Sequence, residues 1–437
     1  MNSPVLESNQ VIDRKSRRHF LGNSLAASSG LAIGSSLPSP WLQDLGLQVL
    51  ANEKAANEKA ANDRVLVVIQ LSGGNDGLNT VVPYSHELYR KVRPKIGIAT
   101  ADTVKIDRDI GLHPSMTSAM RLLESGRFSI VQGVGYKSPN RSHFESMDIW
   151  HTCYRKENRS GDGWLGRLFA ASKQDSTLDS MGLHLGHEQQ PRALTARGIQ
   201  VPSIASVDQF RLKVVDDGSF KKHVLDTTAK IPTVVRDRLA IPDNDELLGF
   251  LQSSTESAFV ASQRLETALK PSVAVGEFPD TPLGEKLQMV ARLILAGLST
   301  KVYYVTLDGF DTHSQQLLAH ASLLRQWSDA VESLVSRLEK AGQADRVLVM
   351  TFSEFGRRVN ENASQGTDHG AAAPVFFAGP SLPSQIIGKM PSLSDLDDGD
   401  LRFHTDFRSV YATLLEKWFC MPSQPILGEL YSPIDLI

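Results

Sequence analysis

The sequence predicts an α/β fold with a mostly parallel central sheet and helices on both faces. Five short apolar runs have the composition of strands that are buried on both faces. They are residues Val65–Leu71, Phe128–Val134, Val302–Leu307, Val347–Phe352 and Val375–Ala378. Four segments with helical periodicity accompany them: Pro114–Glu124, Glu285–Leu298, Gln315–Lys340 and Asp406–Phe419. Strands that alternate with helices are joined by crossovers, and we therefore expect most neighbouring strands to run parallel.

Length, charge and cysteine content exclude several classes of protein. The chain has 437 residues, enough to bury a full hydrophobic core. Its formal net charge of −3 gives no electrostatic reason to expect nucleic acid or an anionic membrane as a partner. The two cysteines, Cys153 and Cys420, lack the CxxC spacing of a zinc site, and a single disulfide between them stays open.

The first 40 residues have the layout of a twin-arginine export signal. Ser16–Leu21 reads SRRHFL, and a weakly apolar stretch of small residues follows it. A membrane anchor would need roughly 20 strongly apolar residues, whereas serine, asparagine and glycine interrupt this stretch. We therefore expect export to the periplasm, the cell surface or the medium, with the twin-arginine export machinery as a partner. The mature chain should contain no transmembrane span.

Two further segments divide the rest of the chain. Residues 41–63 contain a duplicated ANEKA unit with almost no apolar stripe to bury, and we interpret them as a linker. Residues 64–437 should form the α/β domain. Within that domain, residues 165–280 break the alternation of strands and helices, and we predict an insertion or cap over the sheet.

Acidic and histidine side chains follow three of the predicted strands. The candidates are Asp76, Asp308, Asp311, His313, Glu354, Asp368 and His369. The carboxyl ends of parallel strands meet at one edge of a sheet, so these side chains should lie close together. Carboxylates gathered in this way need a counter-charge, which a divalent ion supplies. The sequence therefore predicts a site for Zn²⁺, Mg²⁺, Mn²⁺ or Ca²⁺ with ligands from this set.

Ordinary structural roles also fit some of these residues. The segment Ser72–Asn79, which contains Asp76, is rich in Gly, Asn and Asp and suits a plain turn. An aspartate before Ser314 suits the N-cap of the following helix. Arg357 and Arg358 suit either a clamp for an anionic substrate oxygen or a solvated basic patch.

A further segment, Arg141, Ser142 and His143, follows the second predicted strand. The spacing from Ser142 to Glu145 is that of a capping box, which predicts the start of a helix. The N-terminal end of a helix also favours an anion, or a nucleophile that attacks one. Both roles are compatible. We therefore treat Ser142 as a candidate catalytic residue, with Arg141 and His143 beside its hydroxyl.

Several stretches resemble one protein family. They are the twin-arginine leader, LSGGNDGLNTVVPY, NRSHFESMDIWHT, LDGFDTH, TFSEFGRR, TDHG and TDFRSVYATLLEKW. Together they resemble the exported bacterial proteins grouped as domain of unknown function 1501, abundant in planctomycetes and related to the alkaline phosphatase and sulfatase superfamily. The resemblance implies an alkaline phosphatase-like fold. It also implies that Asp76 is a metal ligand and Ser142 the nucleophile, that Asp308 or Asp311 forms a metal-binding pair with His313, and that Asp368 and His369 form an adjacent pair.

These observations lead to two functional hypotheses. The first is an exported metal-dependent hydrolase of phosphate or sulfate esters that uses a serine nucleophile at a helix N-terminus. Its substrate would be an anionic small molecule or a polysaccharide ester. The second is a secreted, metal-stabilised protein on the same fold that binds or scaffolds without catalysis.

Overall fold

The computed structural model describes residues 63–158, 161–172, 179–205, 276–382 and 386–437. The strands in this part of the chain are β1 (Val65–Leu71), β2 (Val81–Val82), β3 (Val104–Lys105), β4 (Gly111–Leu112), β5 (Phe128–Gly135), β6 (Gly182–Leu185), β7 (Ser203–Ile204), β8 (Val302–Leu307), β9 (Val347–Ser353), β10 (Ala373–Ala378), β11 (Ile386–Ile387), β12 (Leu396–Asp397), β13 (Asp400–Leu401) and β14 (Thr405–Asp406).

The α-helices in the same part of the chain are α1 (Gly77–Thr80), α2 (Glu87–Val92), α3 (Thr117–Glu124), α4 (His143–Thr152), α5 (Trp164–Ala171), α6 (Pro282–Leu295), α7 (Gln316–Lys340), α8 (Phe407–Thr413) and α9 (Gln424–Leu427). Helix α8 continues directly into a π-helical turn, Leu414–Trp418. Short 3₁₀ turns occur at Pro114–Met116, Lys156–Asn158, Arg192–Leu194 and Ala344–Arg346. No described helix has the length and apolar character needed to cross a membrane.

Among the described residues, nine strands form the central sheet. Their order is β11-β5-β10-β9-β1-β8-β6-β7, and β14 pairs with β5 beside β11. Strand β10 is antiparallel to both of its neighbours, β5 and β9. All the other pairs in the sheet are parallel. The prediction of a mostly parallel sheet is confirmed.

Side chains on alternate positions of β1 enter two different hydrophobic layers, because successive side chains of a strand point to opposite faces. Val65, Val67 and Ile69 pack in a core with α3, α6 and α7. Leu66 and Val68 pack in a second core with α4, α5 and α8. Every residue of β1 is buried. The sheet is therefore covered by helices on both faces, as the sequence predicts.

All five predicted strands are present, but β6 and the edge strand β7 were not predicted from the sequence. Both lie inside residues 165–280, the segment expected to be an insertion or cap. In its described part, this segment is built into the main fold, since β6 pairs with β8 along four residues and α5 packs on the sheet. Residues 206–275, and the predicted signal and linker before Asp63, lie outside the described residues.

A buried ion pair fixes the turn after β1. The Arg93 guanidinium lies 2.6 Å from the Asp76 carboxylate, and both side chains are fully buried. Arg93 also donates hydrogen bonds to the carbonyl oxygens of Arg358 and Val359, both at 2.9 Å. Burial alone would raise the pKa of Asp76, but the Arg93 guanidinium holds that pKa below its ordinary value. The pair thus joins the turn after β1 to the chain that follows β9.

Replacing Arg93 by methionine should destabilise the fold by about 3–5 kcal/mol, because it leaves the Asp76 carboxylate buried without its counter-charge. The free energy of unfolding in urea measures this loss. Arg402→Met is the matched control, since Arg402 and Asp395 pair at 2.9 Å with 53% and 73% of their side chains exposed. The control should cost no more than about 1 kcal/mol. Equal losses in the two variants would contradict the role given to the buried pair.

Candidate functional site

The site lies at the edge of the sheet where β1, β8 and β9 end. Because these three strands are parallel neighbours, the loops that follow them meet at this edge. Strand β5 points the same way across the antiparallel β10, so the start of α4 also reaches this edge. Four separate parts of the chain therefore meet at this edge.

Four side chains converge there. His143, Asp311 and His369 each offer a ligand atom, and these atoms all lie within 4.8 Å of one another. His313 joins them, with its Nε2 atom 2.8 Å from His369 Nε2 and 3.0 Å from Asp311 Oδ1. His369 Nε2 also lies 3.0 Å from Asp311 Oδ1, and His143 Nε2 lies 3.5 Å from Asp311 Oδ2. We call these four residues the His/Asp cluster.

Each histidine of the cluster is oriented through its other ring nitrogen. His143 Nδ1 lies 2.9 Å from Glu354 Oε1. His369 Nδ1 lies 2.8 Å from the carbonyl oxygen of Arg141, and His313 Nδ1 lies 3.4 Å from Asp368 Oδ1. A carbonyl or carboxylate oxygen accepts hydrogen bonds, so these contacts favour the tautomer with the proton on Nδ1. The Nε2 lone pairs then point into the cluster.

This arrangement leaves acceptor atoms facing one another. The Nε2 atoms of His313 and His369 lie 2.8 Å apart, and Asp311 Oδ1 lies 3.0 Å from both. Their lone pairs repel one another unless a cation or a proton lies among them. Three imidazoles and one carboxylate are ligands that Zn²⁺ and similar transition-metal ions accept. Histidines that bind metals typically donate their second ring N–H to an oxygen, as all three do in this cluster. The residues present therefore fit a divalent metal ion.

The electrostatics of the cluster follow from its neighbours. A hydrogen bond to Glu354 raises the pKa of His143, although partial burial opposes this shift. Partial burial of Asp311 would raise its pKa, but the Arg357 guanidinium, which donates a hydrogen bond to Asp311, lowers that pKa to about 2. The cluster thus contains a carboxylate that remains ionised under ordinary conditions.

The buried side chain of Arg357 binds the loops that form the site to one another. Its guanidinium donates to Asp311 Oδ1 at 2.7 Å, and its side chain is fully buried. The same group donates to the carbonyl oxygens of Gly74 at 2.7 Å, Thr367 at 2.8 Å and Phe310 at 2.9 Å, and also to that of Gly73. These contacts correct both expectations for this residue. Arg357 is neither a clamp for substrate nor part of a solvated patch, because its nitrogens are already committed to protein oxygens.

Glycine is required where the turn after β1 approaches this guanidinium. Gly73 has a φ of +118°, and a Cβ atom there would overlap the backbone nitrogen of Asp311. Gly74 has a φ of +83°, and a Cβ atom there would overlap the ring of Phe355. The glycine-rich turn therefore allows the loops after β1, β8 and β9 to pack closely together.

The predicted metal ligands divide into three groups. Asp311, His313 and His369 belong to the cluster. Glu354 and Asp368 lie behind it and orient histidines. Asp76 and Asp308 lie outside the cluster: both oxygens of Asp76 accept protein hydrogen bonds, and Asp308 is exposed and is not among the converging side chains.

The segment that contains Ser142 also differs from expectation. Ser142 is the exposed N-cap of α4, but its side chain makes no capping hydrogen bond, so the predicted capping box is not formed. The Arg141 guanidinium binds Asp400 at 2.7 Å and Asp398 at 3.1 Å. His143, which was expected beside the Ser142 hydroxyl, lies among the candidate metal ligands.

Sequence reasoning missed the supporting role of Arg93, the inward position of His143 and the buried amide of Gln316. Arg93 follows α2 and carries no motif, so only its burial in the folded chain reveals it. His143 had a usable signal, because it follows a strand that points to the same edge as the other candidates.

The comparison with known families gives a clear assignment. The family described as "Protein of unknown function (DUF1501)" matches residues 63–418. The chain belongs to this family. The predicted membership is confirmed. No curated protein sequence gives a match.

Solved structures that resemble this DUF1501 protein include a phosphoethanolamine transferase, a sulfatase and a phosphonate monoester hydrolase. The lipooligosaccharide phosphoethanolamine transferase A of Neisseria meningitidis has a TM-score of 0.32 at 9% identity, covering 72% of this chain and 48% of its own. The chain thus spans about half the length of that transferase. A sulfatase from Pseudoalteromonas sp. gives 0.36 at 10%, covering 91% and 75%. The phosphonate monoester hydrolase of Silicibacter pomeroyi gives 0.38 at 11%, covering 84% and 77%.

Replacing Glu354 by glutamine should lower the pKa of His143 in the metal-free protein, because the carboxylate that favours the imidazolium is gone. In the native chain the raised pKa means that this pair stabilises the fold most below pH 6.5 and progressively less as the pH rises through the folded-state pKa. An NMR titration of the imidazole nitrogens, in the presence of a chelator, measures the pKa.

The control for this titration is Glu361→Gln, since Glu361 accepts hydrogen bonds from the backbone of Lys95 and Ile96 and contacts no histidine of the cluster. In this control variant, the pKa of His143 should equal the pKa of His143 in the native protein. A His143 pKa that does not move in Glu354→Gln would show that Glu354 does not orient this imidazole.

Proposed function

We propose that this protein is an exported metal-dependent hydrolase of phosphate or sulfate esters. One observation carries the proposal: three imidazole Nε2 atoms and one carboxylate converge, and each imidazole is oriented by an oxygen on its far side. His143, Asp311, His313 and His369 would hold the ion. Glu354, Asp368 and the carbonyl oxygen of Arg141 would keep the three imidazoles in their tautomers.

The nature of the ligands narrows the choice of metal. Three nitrogen ligands and one oxygen ligand favour Zn²⁺, or another first-row transition ion that binds imidazole well, over Mg²⁺, Ca²⁺ and Mn²⁺, which prefer oxygen. When bound, such an ion would polarise a phosphoryl or sulfuryl oxygen and help to generate a nucleophile near neutral pH. The anionic Asp311 and three neutral imidazoles would leave one net positive charge at the site, which suits an anionic ester.

Ser142 is the proposed nucleophile. It lies beside His143 at the N-terminus of the ten-residue helix α4, where the helix dipole favours developing negative charge. Its hydroxyl is exposed and makes no capping bond, so it is available to react. The serine oxygen would form a bond to phosphorus or sulfur while the bond to the ester oxygen breaks. The proton of the serine hydroxyl would pass to that oxygen, which leaves as the alcohol. Water would then cleave the serine ester to release phosphate or sulfate.

For location and substrate, the proposal keeps the expectations drawn from the sequence. The twin-arginine pattern supports export by that machinery, which would place the enzyme in the periplasm, at the surface or outside the cell. Small anionic esters and polysaccharide esters both remain in the proposed substrate class. A metal-stabilised binding or scaffold protein without turnover is the alternative that the experiment must separate.

The native protein should contain about one equivalent of a divalent transition ion, and Asp311→Asn and His369→Ala should lose most of it. Elemental analysis of the protein purified after export measures the metal. Turnover is then tested on a panel of phosphate and sulfate monoesters. Ser142→Ala should keep the metal but lose turnover by roughly 10³-fold or more, because the nucleophile is gone.

Ser138→Ala is the matched control for Ser142→Ala, since Ser138 is an exposed serine in the same loop. It should keep both metal and turnover. Bound metal with no turnover on any ester would favour the non-catalytic alternative. A fully active Ser142→Ala variant would remove the serine from the mechanism, and a native protein without metal would overturn the proposal as a whole.

A further inference from the structure

The first residue of α7, Gln316, carries a buried amide that bridges three loops. Its side chain is fully buried. The Oε1 atom accepts hydrogen bonds from the hydroxyls of Thr312 at 3.1 Å and Thr367 at 2.7 Å. The Nε2 atom donates to Asp76 Oδ2. One planar group thus links the turn after β1 to both loops that supply the cluster.

The two threonines bonded to Gln316 are immediate neighbours of candidate ligands. Thr312 directly precedes His313, and Thr367 lies two residues before His369. The backbone joins the two loops directly through a hydrogen bond of 3.2 Å from the Thr367 N–H to the Thr312 carbonyl. The side-chain amide of Gln316 links the same two loops through the hydroxyls of Thr312 and Thr367. Any change in its hydrogen bonds should therefore alter the separation of the two imidazoles.

The loops concerned have little regular structure of their own. Residues 308–315 lie between β8 and α7, and residues 354–372 lie between β9 and β10, so no strand ladder sets their separation. A second side chain, Asn362, links them on the outer side by donating to the His313 carbonyl at 2.9 Å and to Asp368 Oδ1 at 3.2 Å. Gln316 provides the corresponding link on the buried side.

Glutamine suits this position for a chemical reason. The side chain must accept hydrogen bonds from two hydroxyls and donate one to a carboxylate. A terminal amide can do both, because it carries an acceptor oxygen and a donor nitrogen. Glutamate would place a second negative charge against Asp76, and an apolar residue would leave two hydroxyls and one carboxylate oxygen with fewer partners in the interior.

We infer that Gln316 is a positioning residue for the His/Asp cluster. Through Thr312 and Thr367 it sets the distance between the Nε2 atoms of His313 and His369, and so the strength and geometry with which the cluster holds a divalent ion. This inference rests on the metal site of the proposed function and is independent of whether that site hydrolyses esters.

The test replaces the threonine hydroxyls rather than the amide, since Gln316→Leu could unfold the chain. Thr312→Val, Thr367→Val and the double variant each keep the side-chain shape and remove hydrogen bonds to Gln316. Thr351→Val is the matched control, because Thr351 is a buried threonine on β9 whose hydroxyl accepts from Trp327 Nε1 at 3.1 Å. Zn²⁺ affinity is measured by competition with a chromophoric chelator. The visible absorption of the Co²⁺ form reports ligand geometry, and urea unfolding reports stability.

Zn²⁺ should bind about 10-fold more weakly to each single variant and more weakly still to the double variant, with a shifted Co²⁺ spectrum. The control should lose comparable stability yet keep native Zn²⁺ affinity and spectrum. Native affinity and spectrum in the double variant would overturn the inference, and so would an equal loss of affinity in the control. A native protein that takes up neither ion would overturn the metal site and this inference together. None of these measurements uses ester turnover. The result of the ester assay therefore does not affect this test.

Discussion

The site depends on a cation buried inside the protein, the guanidinium of Arg357. A charge without solvent is tolerated only when oxygens surround it, and this group is surrounded by four backbone carbonyls and the Asp311 carboxylate. Satisfying it forces the loops after β1, β8 and β9 to approach one another. The shape of the site is thus a consequence of solvating one positive charge with the chain itself.

A second buried arginine, Arg93, pairs with an acid that would otherwise be a candidate metal ligand. Arg93 neutralises Asp76, the acid closest to the end of β1, and so removes it from the cluster. Arg357 contacts Asp311 without hiding it, since the Asp311 side chain remains 48% exposed. Two aspartates that look equivalent in the sequence therefore have opposite uses. One holds the framework, and the other faces the place where an ion would sit.

The sequence was informative where the physical constraint is local. Buried strands such as β1 and β8 are continuous apolar runs, and these predictions were confirmed. Strand β6 has only four residues and includes a histidine, so no pattern distinguishes it from a loop. The strand-end argument brought Asp311, His313 and His369 to one edge, but it could not show that Asp76 would meet an arginine 17 residues further along. Partners of that kind are decided by packing, which a single sequence does not display.

The single antiparallel strand of the main sheet has a consequence for how the site assembles. Because β10 runs against β9, the chain leaves the sheet after Ser353 and returns to the same edge at Ala373. Glu354 and His369 therefore sit on one closed loop of modest length. His143, by contrast, meets Glu354 across 211 residues. Closing a short loop costs less chain entropy than closing a long one. The half of the site on residues 354–372 is therefore expected to order during folding before His143 joins it.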